Sequence, residues 1–110
     1  MANHVVSSGN VFEDMGLPNP EERLAKAKLA AIINRIIEEK GLTQKEAAKI
    51  LGINQPKIST LRNGRLKGYS IERLFHFLEL LDQNIEITIT HKSKANVKAK
   101  ARQGINIAYI

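Results

Sequence analysis

The spacing of apolar residues predicts a long first helix. Asn19 stands where a cap belongs, Pro20 suits the first helical position, and Gly41 is a typical helix end. Between these limits the apolar residues recur three and four positions apart, which places them on one face of a helix. They are Leu29, Ile32, Ile33, Ile36 and Ile37.

Two shorter helices follow, and both have clear start and stop signals. Thr43 and Glu46 match the capping box that begins a helix, and Gly52 ends this helix. Asn54 caps the next helix, which ends near residues 63–64. The break between the two helices is therefore only a few residues long.

The residues around this break suit two helices that cross at a steep angle. Ala48 is small enough for a close approach of the helices, and Gly52 tolerates the positive φ of a tight turn. Ile58 and Leu61 share one face of the second helix and can pack on a core. The joint pattern indicates a helix-turn-helix unit, in which each position holds the residue type that the geometry requires.

One more helix follows, and after it the spacing of apolar residues changes from that of a helix to that of a strand. Residues 65–69 predict a loop, and Ser70 caps a helix whose apolar residues are Ile71, Leu74, Phe75, Phe77, Leu78 and Leu81. Over residues 85–89 isoleucines alternate with Glu86 and Thr88, which is typical of a half-buried strand. A single short strand is stable only when another strand pairs with it. The pairing strand would be the same segment of a second chain in a dimer or the N-terminal arm. Residues 105–110 are a further candidate strand.

The ends of the chain differ from its centre. We divide it into an N-terminal arm of residues 1–18, a helical domain of residues 19–90 and a basic tail of residues 91–110. The arm is expected to be irregular because its glycines and prolines break helices. Its apolar Phe12 and Met15 indicate that it docks on its own domain or on a partner.

Charge is distributed in blocks along the 110 residues, whose formal net charge is +6. Residues 1–22 hold four acids and no Lys or Arg, and residues 40–67 hold seven bases against one acid. From residue 91 onward there are five bases and no acid. Such blocks favour a polyanionic partner, although basic runs also keep small proteins soluble.

Several classes of function are disfavoured by composition. The absence of cysteine removes disulfides, thiol catalysis and thiolate zinc sites, and the three histidines lack ligand spacing, so neither a metal nor a cofactor is expected. There is no nucleophile paired with a base, and "GRLKG" lacks the spacing of a P-loop, so we do not expect an enzyme. No apolar run approaches ~20 residues and no signal pattern is visible, which predicts a cytoplasmic protein.

The segment "LTQKEAAKILGINQPKISTLRNGR" resembles the helix-turn-helix of the phage-repressor/Cro-like (XRE) family, over about residues 29–82. With the flanks "GNVFEDMGL" and "IEITI", residues 7–90 look like the antitoxins of HigBA-type toxin–antitoxin pairs. The resemblance implies a mainly α, lambda-repressor-like helix-turn-helix bundle of four to five helices with one short C-terminal β-strand. It also implies a dimer that represses its own operon and neutralises a small basic toxin of the RelE/HigB-like type.

In that family the second motif helix lies in the major groove. At about 100° per residue, the side opposite Ile58 and Leu61 faces outward. The predicted base-reading residues are Gln55, Pro56, Lys57, Ser59 and Thr60, and the predicted phosphate-binding residues are Gln44, Asn63, Arg65 and Lys67. The amide of Gln55 suits an adenine edge, and Lys57 suits a guanine or a phosphate. Taken singly, each of these residues also fits a solvated helix surface.

The expected partners are double-stranded DNA with a palindromic operator, a second copy of the chain and a toxin. Two copies are expected because one short motif contacts few base pairs, and half-sites lie about 34 Å apart. Either the strand at residues 85–89 or the helix at residues 70–81 forms the dimer. The acidic arm is the candidate toxin contact.

Three alternatives remain open at this point. They are a stand-alone XRE-type regulator of phage or plasmid origin, a small ribonuclease toxin and a module that binds only protein.

Overall fold

The computed structural model describes residues 10–91 and 105–110. Within these ranges the chain forms five α-helices: α1 (Val11–Asp14), α2 (Pro20–Glu39), α3 (Gln44–Leu51), α4 (Gln55–Arg62) and α5 (Ile71–Leu80). The mainly helical fold that the sequence predicts is confirmed. Residues 1–9 of the predicted arm and 92–104 of the predicted basic tail lie outside the described residues.

The core lies where α2 packs against α4 and α5, with α3 closing one side. Ile33 of α2, Ile58 and Leu61 of α4 and Leu74 of α5 are all 0% exposed, and Phe77 is 1% exposed. These residues are the apolar faces that the helical spacing predicted. Their burial holds α4 against the rest of the domain from one side only.

The caps of α3, α4 and α5 follow the sequence prediction. Thr43 and Glu46 form a reciprocal capping box, in which the Thr43 amide donates to Glu46 Oε1 at 2.9 Å and the Glu46 amide donates to Thr43 Oγ1 at 3.1 Å. Asn54 Oδ1 accepts from the amide at residue 57, and Ser70 Oγ accepts from the amide at residue 73. Each cap satisfies an amide that the first helical turn leaves unpaired.

The turn between α3 and α4 also has the predicted geometry. Gly52 adopts a left-handed conformation with φ 70°, and the carbonyl of Ala48 accepts hydrogen bonds from the amides of Gly52 and Ile53. A residue with a Cβ would be strained at this φ. Because the turn is this tight, the start of α4 is fixed relative to α3.

The prediction of an irregular arm is wrong for α1. Asn10 is buried, and its Oδ1 accepts from the amides of Phe12 at 3.0 Å and Glu13 at 3.3 Å. Its Nδ2 donates to the Pro20 carbonyl at 2.9 Å, which ties α1 to the first turn of α2. The following glycine and proline end this helix but do not prevent one helical turn from forming before them.

The cap of α2 differs in mechanism from the prediction. Asn19 occupies the capping position, but its side chain makes no capping hydrogen bond and its φ is 51°. A capping side chain ordinarily reaches the next amides from an extended backbone, which a left-handed residue does not have. Pro20 at the first position and Glu21 and Glu22 in the first turn remain favourable for the start of the helix.

The predicted C-terminal strand is wrong for the residues that the structure describes. Neither residues 83–91 nor residues 105–110 form a strand. Ile85 and Ile107 pack partly buried against the core, whereas Ile87 is 73% exposed and Ile89 is 92% exposed. A strand forms only when the amides and carbonyls of a neighbouring strand complete its hydrogen-bond ladder. The described part of this single chain offers no such neighbour to residues 85–89.

Among the described residues, no helix has the length and apolar character needed to cross a membrane.

Candidate nucleic-acid interface

The first turn of α4 presents its side chains to solvent. Gln55, Pro56 and Lys57 are all exposed, whereas Ile58 and Leu61 are fully buried on the opposite side. The helix therefore has one face anchored in the core and one open face. This is the arrangement that a helix needs in order to enter a groove of DNA while remaining part of a rigid domain.

The two hydroxyl residues predicted to read bases are less open than the first turn. Ser59 and Thr60 are both half-buried. The Thr60 hydroxyl donates to the carbonyl of Lys57 at 2.8 Å and lies 3.4 Å from the hydroxyl of Tyr69. Since its one proton is used within the protein, Thr60 could only accept a hydrogen bond from a base or contact it through its methyl group.

The predicted phosphate-binding residues are all exposed, and they lie at the ends of the motif helices or in the loop that follows α4. Gln44 is the first residue of α3, and Asn63 is the C-terminal cap of α4. Arg65 and Lys67 lie on the loop that follows α4. All four side chains are therefore accessible from solvent.

A basic groove runs along one side of α4, and we define it by its lining residues. The groove encloses about 310 Å³ and is lined by Lys57, Thr60, Arg65, Lys67, Gly68, Tyr69 and Arg73. Four of these residues carry a positive charge and none is acidic. The groove thus brings together four of the nine predicted site residues, while Gln44, Gln55, Pro56, Ser59 and Asn63 do not line it.

The cations of the basic groove are not neutralised by neighbouring carboxylates. In the described part of the chain, none of Lys57, Arg65, Lys67 and Arg73 forms a salt bridge. Nearby like charges repel one another in the free protein, and an anion that lies among them relieves this repulsion. The electrostatics of the groove therefore suit a phosphate.

Arg73 is a candidate contact that the sequence analysis missed. It lies in the first turn of α5, and its guanidinium carbon is 5.4 Å from the centroid of the Phe77 ring. Stacking on a ring holds a guanidinium in place while leaving its N–H groups free to donate. Nothing in the local sequence distinguishes Arg73 from any other exposed basic residue on a helix. The groove forms only where the loop after α4 folds back and brings Arg73 near Lys57 and Thr60.

Two further residues support α4 through contacts between distant parts of the chain. Asn34 Nδ2 on α2 donates to the Leu61 carbonyl at 3.2 Å, near the C-terminal end of α4. The Tyr69 hydroxyl donates to the Lys57 carbonyl at 2.9 Å, near the N-terminal end. Tyr69 lies in the loop that the sequence predicts at residues 65–69, where an aromatic residue among polar neighbours is a signal of packing.

The comparisons with known proteins agree with this geometry. Residues 11–90 match the model of a helix-turn-helix domain family. A solved structure of a protein assigned as an XRE family transcriptional regulator is 43% identical, with a TM-score of 0.75, over 84% of this chain and 100% of that one. Among curated protein sequences, none is significantly similar. The chain is therefore a member of the XRE family of transcriptional regulators, with a helix-turn-helix DNA-binding domain.

Proposed function

We propose that this protein is a sequence-specific transcriptional repressor that binds a palindromic operator as a homodimer in the cytoplasm. The observation that carries the proposal is the open face of α4, with Gln55 and Lys57 exposed beside a groove that holds four cations and no carboxylate. An open recognition helix supplies contacts to base edges, and the adjacent cations supply contacts to the backbone.

In this proposal α4 lies in the major groove with its N-terminal end nearest the bases. Gln55 donates and accepts one hydrogen bond each with an adenine edge, and Lys57 donates to a guanine. Arg65, Lys67 and Arg73 bind phosphates of the flanking backbone and set the orientation of α4 in the groove. Gln44 binds a phosphate from the start of α3, and Asn63 does so from the end of α4.

Two copies are needed because one motif of this size contacts only a few base pairs. Dimers of such motifs place their recognition helices about 34 Å apart on one face of DNA. The segment of residues 85–89 supports pairing with a second copy, because Ile87 and Ile89 are exposed and the backbone of this segment forms no strand ladder with any of the residues that the structure describes. On α5, by contrast, the exposed side is mostly polar, with Leu80 39% exposed.

We further propose that the protein is the antitoxin of a HigBA-type pair. The resemblance of residues 7–90 supports this role, and α1 adds a surface of suitable chemistry. Val11 is 56% exposed and Met15 is 66% exposed, next to the exposed acids Glu13 and Asp14. A small basic RelE/HigB-like toxin would find both apolar area and opposite charge there. The alternative is a stand-alone XRE-type regulator without a toxin partner.

The DNA-binding proposal is tested by selecting duplexes from a random library and then measuring affinities for the selected and a scrambled duplex. Gln55→Ala is expected to weaken binding to the selected duplex by about 1–3 kcal/mol per half-site and to relax one base position. Lys28→Ala, on an exposed position of α2 away from the groove, is the control and should behave as the wild type. An equal loss on both duplexes would contradict base recognition by Gln55.

The antitoxin proposal is tested by co-purification with the product of the adjacent gene. Glu13→Gln with Asp14→Asn should reduce retention of a basic toxin. The ratio of affinities for the selected and scrambled duplexes should keep its wild-type value, since α1 carries none of the proposed base-reading residues. DNA binding without any captured toxin would favour the stand-alone regulator.

A further inference from the structure

The carbonyl of Lys57 lies in the first turn of α4, in the part of the helix nearest the bases in the proposed complex. It accepts hydrogen bonds from two hydroxyl groups, Tyr69 at 2.9 Å and Thr60 at 2.8 Å. The bond from Thr60 lies within α4, whereas the bond from Tyr69 crosses 12 residues of sequence. Tyr69 therefore links this turn to a different part of the fold.

Tyr69 itself is held firmly. It is 6% exposed, and its ring meets the buried Phe77 ring of α5 edge to face, with centroids 5.9 Å apart and an interplanar angle of 71°. Its amide donates to the Leu66 carbonyl at 3.0 Å, which closes the end of the loop that carries Arg65 and Lys67. A shift of Tyr69 would thus require a shift of the core, the loop or both.

We propose that Tyr69 is a positioning residue for DNA recognition, whose hydroxyl fixes the first turn of α4 relative to the loop that carries Arg65 and Lys67. This inference rests on the proposed function of the chain as a sequence-specific DNA-binding protein. Tyr69 lines the basic groove, but only 6% of its surface is exposed and its hydroxyl donates to the Lys57 carbonyl, so we assign its effect to the position of α4 and not to a DNA contact of its own.

The two kinds of DNA contact depend on position to different degrees. A hydrogen bond to a base edge requires a defined distance and angle, and it weakens steeply when the donor is misaligned. An attraction between a flexible cation and a phosphate tolerates small displacements. A looser first turn of α4 would therefore reduce affinity for a specific duplex more than affinity for random DNA.

Tyr69→Phe tests this idea, because it removes the hydroxyl and retains the ring that packs on Phe77. Tyr109→Phe is the matched control, since Tyr109 lies at the exposed end of the chain beside Arg35 and outside the basic groove. Affinities are measured for a 30-bp duplex selected from a random library and for a scrambled 30-bp duplex. We expect Tyr69→Phe to lower the ratio of the two affinities by about 2- to 12-fold per half-site, the factor that one net hydrogen bond supplies.

The outcomes separate the inference from the function on which it rests. A wild-type protein that binds both duplexes alike would contradict the proposed function. If the wild type discriminates but Tyr69→Phe leaves the ratio unchanged, or weakens both duplexes equally, the positioning role is wrong.

Amide hydrogen exchange in the free protein provides a readout that does not need DNA. Tyr69→Phe should speed exchange in α4 relative to α5, and Tyr109→Phe should not. Unchanged exchange in α4 would overturn the inference whatever the DNA result, because the hydroxyl would then not restrain the helix.

Discussion

Replacing Arg65 with alanine tests whether the basic groove binds DNA phosphates. Arg65 is exposed and forms no salt bridge in the described part of the chain, so its loss should change the free energy of unfolding by no more than about 0.5 kcal/mol. The effect should therefore appear in DNA binding alone. Because Arg65 lies on the loop after α4 and not on its open face, the loss should be the same for every sequence.

The magnitude follows from counterion release. Each phosphate contact contributes about 0.9 to the slope of log affinity against log salt concentration, so a dimer with two substituted loops loses about 1.8 from its slope. Between about 50 mM and 200 mM salt, a slope change of this size alters relative affinity by roughly tenfold. The deficit of Arg65→Ala should thus be largest at low salt and shrink as salt rises.

The assay is fluorescence anisotropy with selected and scrambled duplexes over a range of salt concentrations. Arg65→Lys keeps the charge and should keep the wild-type slope, and Lys28→Ala removes an exposed charge from α2 and should do the same. An unchanged slope for Arg65→Ala would refute the phosphate contact. A loss confined to the selected duplex would show instead that Arg65 contacts a base.

Three further predictions concern the fold that supports α4. Leu61→Ala removes a side chain that is 0% exposed and should lower the free energy of unfolding by about 2–5 kcal/mol in urea titrations, with Leu80→Ala, at 39% exposure, costing clearly less. Asn54→Ala removes the cap of α4 and should cost about 1 kcal/mol in the same titrations, and no measurable cost would contradict its capping role. The Thr43 amide, and secondarily its side chain, lowers the pKa of Glu46, so this stabilisation is present above the carboxyl's unfolded-state pKa and is lost as pH falls through its folded-state pKa. Thermal melts of Glu46→Gln across this acidic range should show a weaker pH dependence than the wild type, and identical profiles would contradict the assignment.

The comparison of sequence and structure separates local signals from long-range ones. The capping box at Thr43, the cap at Asn54 and the left-handed turn at Gly52 each involve groups within a few residues of one another. Such interactions depend on local residue types and spacing, so the sequence predicts them correctly. Apolar periodicity likewise marks Ile58 and Leu61 as the buried face of α4, and both are 0% exposed. It does not predict that Ser59 and Thr60, on the side expected to face outward, are half-buried.

Predictions from local sequence were wrong where the structure of a segment depends on its contact with another helix or strand. The alternating pattern at residues 85–89 describes a strand only if another strand supplies the ladder, and none does so in the described part of the chain. The arm was expected to be irregular, but the Asn10 side chain caps α1 and also reaches the Pro20 carbonyl, which is a contact between two elements.

The sequence by itself determined helices α2 to α5, the caps of α3, α4 and α5 and the buried face of α4, because these follow from interactions within a few residues and from apolar periodicity. Only the tertiary structure decided which basic side chains line the groove beside α4. It also decided which residues distant in sequence form hydrogen bonds to that helix. Tyr69 reaches the Lys57 carbonyl across 12 residues and Asn34 reaches the Leu61 carbonyl across 27. Such contacts depend on how whole helices pack, and a residue's type and neighbours in sequence do not specify them.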